Sequence, residues 1–323
     1  MLSKTGTRRV HSVATLAAVA AIAITATSAC AGSSSSANLS SSSAPGAGNP
    51  LAPSSSGTVV VGSANFPENE LLAEIYVLAL QGKGVKVTAK LNIGAREVYY
   101  PQVEKGAISI IPEYNGTLLS VEVNQKSTAK TTAAVDAALA SGLPSSLEIL
   151  NPAAAQDSDS VTVTQATAAK YHLKSIADLK PVASKLSIGG PPEFKTRVDG
   201  LVGLKSTYGL TFKSFVPLDE SGPITLAALK DGKVQAADVF TTTPQIISDH
   251  LVSLTDPKFN FAAQNVVPLV YKPALTPTIE TVLNEISAKL TTTALLQMDN
   301  EVITQHANYS TVAAAFLKTE GIS

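Results

Sequence analysis

The stretch from Thr58 to Leu119 restricts the fold more than any other part of the chain, because it reads strand, helix, strand, helix, strand. Thr58 to Val61 is a β-branched run that stops at Gly62, and Ser63-Ala64-Asn65-Phe66 follows as a loop. Pro67 stands where a helix should begin: its fixed φ suits that position and its missing N–H would be unpaired there anyway. Glu68 and Glu70 fall in the first turn, where carboxylates complement the helix dipole. Leu71, Leu72, Ile75, Leu78 and Ala79 recur at helical spacing until Gly82 and Gly84 end the run. Val85, Val87, Ala89 and Leu91 then alternate with Lys86, Thr88 and Lys90, which predicts a strand with one buried face. Asn92-Ile93-Gly94-Ala95 is its exit loop, a helix runs from about Arg96 to Lys105, and Ala107 to Ile111 is a third strand leading into Pro112-Glu113-Tyr114-Asn115-Gly116-Thr117. Crossovers through helices make the strands parallel, and right-handed connections bring their exits to one edge, where open α/β sheets hold ligands. On pattern alone, half of an ordinary α/β domain without a ligand also fits.

The amino terminus belongs to targeting. Lys4, Arg8 and Arg9 precede an apolar run from Val13 to Ile24, too short for a comfortable membrane span, and Thr27-Ser28-Ala29-Cys30 closes it. Small residues before a lone cysteine resemble a bacterial lipobox, which implies a diacylated Cys30; a plain secretory signal with an incidental cysteine is the alternative. Cys30 is the only cysteine, so an intrachain disulfide is excluded, as is thiol catalysis in the folded part. Residues 31–57 are rich in Ser, Ala, Gly and Pro and bury too little to fold. A tether of that length spans about 30 Å. A net charge of −1 indicates neither a nucleic-acid surface nor a polybasic membrane patch. The 45% hydrophobic content supports a real core.

Downstream, a helical stretch leads through Ala129 to Leu139, and Leu147 to Leu150 is a short strand. The break at Asn151-Pro152 is the expected first crossing between two lobes. Ser160 to Thr164 opens a second sheet-and-helix unit, with strands at Lys185 to Ile188, Phe212 to Leu218 and Val234 to Phe240, and a helix with Arg197 near its start. Asn260 to Val266 is the return crossing, Val266 to Tyr271 rejoins the first lobe, and amphipathic helices cover Thr276 to Leu290, Thr293 to Gln305 and Ser310 to Thr319. The expected organisation is a signal over 1–30, a tether over 31–57, a first lobe from 58–156 plus 265–323, and a second lobe over 157–264. His172, His250 and His306 are scattered, without metal-ligand spacing or a nucleophile elbow, so no enzyme, metal or cofactor is expected. Asp157 and Asp159, in a crossing loop, are expected to be solvated, and Tyr99 and Tyr100 to be packing or surface.

Gly62-Ser63-Ala64-Asn65-Phe66, Asn92-Ile93-Gly94-Ala95-Arg96-Glu97-Val98, Pro112-Glu113-Tyr114-Asn115-Gly116-Thr117 and Glu193-Phe194-Lys195-Thr196-Arg197-Val198-Asp199-Gly200-Leu201 resemble, in order and spacing, the signatures of the glycine betaine/choline/osmoprotectant substrate-binding proteins of ABC importers. The resemblance covers Thr58 to the end. It implies a type II periplasmic-binding-protein fold, two α/β lobes joined by two crossings with the ligand cleft between them. It also implies a small-molecule solute, permease subunits as partners, a monomeric receptor, and anchorage to the cell membrane on its outer side. Tyr114 matches a cage tyrosine of the family, Thr117 a polar contact, and Arg197 a carboxylate-binding arginine. Phe240 stands at a cage tyrosine, Ser160 and Gln264 at two further tyrosine positions, Ala64 at a frequent lysine and Asn69 at a common glutamine. Asn65 and Thr242 complete the expected ligand-binding set. With fewer aromatics and more amides than a betaine cage, the site leaves open a more polar amine or an aromatic betaine. A quaternary ammonium donates no hydrogen bond, so its site must rely on aromatic faces and shape.

Overall fold

The computed structural model describes residues 57–322. The signal segment, Cys30 and the tether up to Ser56 lie outside the described residues, as does Ser323.

Strand β1 (Val59–Gly62) leads into helix α1 (Pro67–Gly82), whose Pro67 occupies the first helical position. Helix α1 is apolar almost all round, and Leu71, Leu72, Ile75 and Leu80 are fully buried because the sheet covers one side and the C-terminal helices the other. Strand β2 (Val87–Lys90), helix α2 (Arg96–Glu104) and strand β3 (Ile110–Tyr114) follow, with β1 paired parallel to both β2 and β3. The predicted alternation in β2 gives it a half-buried face, not a buried one: it lies at the edge of the sheet, with Val85, Val87 and Leu91 packed against the core, Lys86 and Thr88 exposed, and Ala89 exposed as well.

Beyond β3 the expected helical stretch is broken. A single turn, α3 (Asn115–Thr117), widens into a π-helical turn over Leu118–Val123, and helix α4 (Thr132–Gly142) starts afresh where Thr131 accepts a hydrogen bond from the Ala134 amide. Strand β4 (Leu147–Ile149) then leaves the first lobe.

The second lobe comprises β5 (Asp159–Thr164), α5 (Gln165–Tyr171), β6 (Ser187–Gly190), α6 (Leu201–Tyr208), β7 (Ser214–Pro217), α7 (Pro223–Lys230), β8 (Ala236–Phe240), α8 (Gln245–Ser248) and β9 (Leu251–Ser253). Its sheet order is β7-β6-β8-β5-β9, parallel where β6 meets β7 and β8, antiparallel around β5. Arg197 is not near the start of a helix, as the pattern predicted. A 3₁₀ turn over Pro192–Lys195 doubles back, and α6 begins only at Leu201. Gly200 permits this fold-back, since a Cβ there would lie 2.0 Å from the Phe194 carbonyl oxygen. Strand β9, three residues long and starting directly after His250 at φ 51°, is too short to leave a periodic signal.

The chain returns through β10 (Val266–Tyr271), which inserts antiparallel between β3 and β4 and completes the order β2-β1-β3-β10-β4. Helices α9 (Pro277–Lys289), α10 (Thr292–Asp299) and α11 (Tyr309–Glu320) then cover the first lobe. Thr276, Thr291 and Asn308 cap them by accepting from backbone amides. The helix predicted as far as Gln305 is α10 followed by a π-helical turn over Asn300–Thr304.

The two crossings, over residues 150–158 and 254–265, run side by side where Gln156 bridges Asn265. The Asn265 side chain fixes them to the first lobe: its amide donates to the Ala153 carbonyl and its oxygen accepts from Thr132. Gly116 lets α3 close on the return crossing, because a Cβ there would stand 2.3 Å from the Ala263 carbonyl oxygen.

Candidate functional site

The sheet edges of the two lobes meet around a cavity of about 30 Å³ lined by Phe66, Arg96, Tyr114, Thr117, Asp157, Asp159, Arg197, Glu220, Phe240 and Gln264. The first lobe supplies Phe66 from the loop after β1, Arg96 from the start of α2, and Tyr114 and Thr117 from the end of β3 and α3. The second lobe supplies Asp159 at the start of β5, Arg197 after β6, Glu220 after β7 and Phe240 at the end of β8, while Asp157 and Gln264 come from the two crossings.

Three rings meet there. Phe66 stacks at a tilt with Tyr114, centroids 6.0 Å apart, and meets Phe240 edge-on at 5.1 Å across the lobes. The Tyr114 hydroxyl donates to Glu68. Beneath it, the Glu113 carboxylate is 0% exposed and accepts from Arg96 Nε and Nη2 at 2.9 Å each, from the Tyr99 hydroxyl at 2.7 Å and from the Tyr114 amide at 2.9 Å. Tyr99 is therefore packing with a defined polar task. Arg96 faces the cavity but is neutralised from behind.

Carboxyl groups dominate the rest of the wall. Asp157 is only 5% exposed, contrary to the expected solvated loop, because the other crossing covers it and Thr241 and the Thr242 amide donate to it at 3.1 Å. Burial raises its pKa well above the usual carboxylate range, and the Glu68 charge adds to the rise. Asp159 is half-buried rather than solvated; desolvation, then the charge of Asp199, pushes it up to about 6. Glu220 rises to about 7 by desolvation, although Arg197 and Arg96 pull it down. Behind these lie Glu68, Asp238 and Asp299, all raised chiefly by burial. Glu68 Oε2, Asp238 Oδ1 and both oxygens of Asp299 lack a protein hydrogen-bond partner.

Of the residues expected at the site, the structure brings Tyr114, Thr117, Arg197, Phe240 and Gln264 to the cavity. Thr117 and Gln264 are bonded to each other, the Gln264 amide donating to the Thr117 hydroxyl and its oxygen accepting from the Thr117 amide. Asn65 and Thr242 line an adjoining groove of about 920 Å³ between the lobes. Asn69 and Ser160 reach neither. The Asn69 side chain accepts from the Ala64 amide and donates to the Pro112 carbonyl, and the Ser160 hydroxyl donates to the Val239 carbonyl. The sequence reading missed Phe66, Arg96, Asp157, Asp159 and Glu220 as wall residues. Phe66 was the most accessible of these, sitting in the exit loop of the first strand.

Residues 57–319 match the family described as the substrate-binding domain of ABC-type glycine betaine transport systems. The chain belongs to this family. Among its relatives, the glycine betaine-binding protein YehZ of Escherichia coli (strain K12) is 26% identical over 276 residues, covering 81% of this chain and 90% of the relative. The carnitine transport binding protein OpuCC of Listeria monocytogenes is 25% identical over 283 residues, covering 85% and 90%. A solved structure of a glycine betaine/carnitine/choline ABC transporter aligns with a TM-score of 0.64 at 22% identity, over 82% of this chain and 99% of that one. Lactococcal OpuAC, closed on glycine betaine, aligns with a TM-score of 0.58 at 17% identity, over 82% and 96%. The fold is that of the type II periplasmic binding proteins. The members of this family are extracytoplasmic substrate-binding proteins of ABC transport systems, not enzymes. Among the described residues no helix is long and apolar enough to cross a membrane.

The raised carboxyl groups give the unliganded protein a definite pH response. Asp159 and Glu220 hold protons more firmly folded than unfolded, so their contribution to stability is greatest below their ordinary pKa values of 3.8 and 4.5 and is lost as pH rises through about 6 and about 7. Glu220→Gln should therefore be more stable than the parent, with an advantage that grows from pH 5 to pH 8 in thermal melts. A constant difference across that range would contradict the assignment.

Proposed function

We propose that this chain is the lipid-anchored, extracytoplasmic receptor of an ABC importer and takes a small quaternary-ammonium osmoprotectant of the glycine betaine, choline, carnitine or proline betaine class between its lobes. The observation that carries this reading is the convergence of Phe66, Tyr114 and Phe240 from both lobes on a cavity walled by Asp157, Asp159 and Glu220. Aromatic faces attract a cation that has no hydrogen to donate, and each contributes about 0.5–2 kcal/mol depending on desolvation. The carboxylates supply the opposite charge at longer range. Relatives named for glycine betaine and carnitine binding support the same class.

A cavity of about 30 Å³ has room for about two waters, less than a trimethylammonium group needs. Loading therefore requires Phe66 and Phe240 to part, which the two side-by-side crossings permit as a hinge. Binding then selects a lobe arrangement for the permease to recognise. Gln264 and Ser160, the residues that left open a more polar amine, have their side chains bonded to protein groups.

Calorimetric titration with glycine betaine, choline, carnitine and proline betaine tests the ligand class. At least one should bind, and Phe66→Ala should weaken it by about 0.5–2 kcal/mol. No heat from any of them would overturn the reading. For the anchor, Cys30→Ser should move the protein from the membrane fraction to the soluble fraction of its host; unchanged fractionation would leave a plain secretory signal.

A further inference from the structure

Arg197 reaches the cavity wall already occupied. Its Nε and Nη2 donate to the two oxygens of Glu97 at 3.0 Å each, the two-pronged geometry that a ligand carboxylate would use. Glu97 comes from the first turn of α2 in the first lobe and Arg197 from the loop after β6 in the second, so the pair spans the cleft. The guanidinium side is 10% exposed and the carboxylate side 43%. Burial acts to raise the Glu97 pKa, but the hydrogen bonds and charge of Arg197 outweigh it and hold the carboxyl below its usual range.

The other guanidinium at the cavity is committed too, because Arg96 is paired with Glu113. With both arginines matched by glutamates, the ionisable groups left at the wall are Asp157, Asp159 and Glu220. A carboxylate entering this cavity would have to displace Glu97 from Arg197 while facing three acidic side chains. A cation without a carboxylate meets neither obstacle.

We propose that Glu97 is a specificity-determining residue: by filling the fork of Arg197 it makes the cleft select an organic cation that lacks a carboxylate over a zwitterion of the same size. This rests on the reading of the cleft as a quaternary-ammonium site. Choline and glycine betaine share a trimethylammonium head and differ in a hydroxyl against a carboxylate, so the ratio of their affinities isolates the effect.

The test is calorimetric titration of both ligands into the parent protein, Glu97→Ala, and the Glu97→Ala/Arg197→Ala double variant. The parent should prefer choline. Glu97→Ala should move the ratio toward glycine betaine by about tenfold or more, the value of a charge-assisted pair, and the double variant should lose that shift. Glu97 lies on the exposed face of α2, and a thermal melt checks that each variant is folded. A parent that prefers glycine betaine, a ratio unmoved by Glu97→Ala, or a shift that persists without Arg197 would each overturn the role of Glu97 while leaving the cleft as a quaternary-ammonium site. Binding of neither ligand to the parent would overturn the reading of the cleft and the inference with it.

Discussion

The buried carboxylate of Glu113 is the interaction on which the site depends. It lies at the end of the central strand β3 and accepts from Arg96, Tyr99 and the backbone amide of Tyr114. An isolated carboxylate at that depth would be costly to desolvate; with a two-pronged guanidinium, a phenol and an amide around it, its hydrogen-bonding capacity is filled. The arrangement fixes the start of α2, and thereby Glu97 one residue beyond Arg96. It fixes Tyr114 at the head of the cavity. It also engages the guanidinium of Arg96 from behind, so Arg96 lines the cavity with its hydrogen-bonding fork already filled, although its charge still favours ionised Asp159 and Glu220.

The second consequence is electrostatic. Around the cavity and just behind it stand Glu68, Asp157, Asp159, Glu220, Asp238 and Asp299, drawn from helices, strands, a loop and the first crossing. Charges this close in a dry setting repel, and their desolvation favours the protonated forms. Such a cluster weakens the unliganded fold at neutral pH, which is the pattern expected when buried groups serve binding rather than stability. A cation entering the cleft would relieve the repulsion and favour the ionised carboxylates. The site is in this sense prepared for positive charge, with the three aromatic rings giving it shape.

Much of this was legible in the chain itself. The strand and helix alternation of the first lobe follows from β-branched runs, a proline at a helix start and glycines at helix ends. The exit of β3 could be placed at the ligand edge from its pattern, and the family resemblance then singled out Tyr114 and Thr117 on it. The misses share a physical cause: they depend on which distant segment covers a residue. Asp157 looks like a solvated loop aspartate until the return crossing and Thr242 close over it. Arg197 looks like an available anion receptor until Glu97 arrives from the other lobe. Asn69 and Ser160 look like free polar groups, but the backbone next to them has donors and acceptors that need partners. Local pattern specifies elements, whereas the charge state of a cleft is decided by contacts across it.

A crystal structure of the protein with choline tests the central claim most directly. The account expects the trimethylammonium group within about 6 Å of the ring centroids of Phe66, Tyr114 and Phe240, with Asp157 or Asp159 as its nearest charged neighbour. Choline seated only in the adjoining groove, away from Tyr114, Asp157 and Asp159, would contradict it.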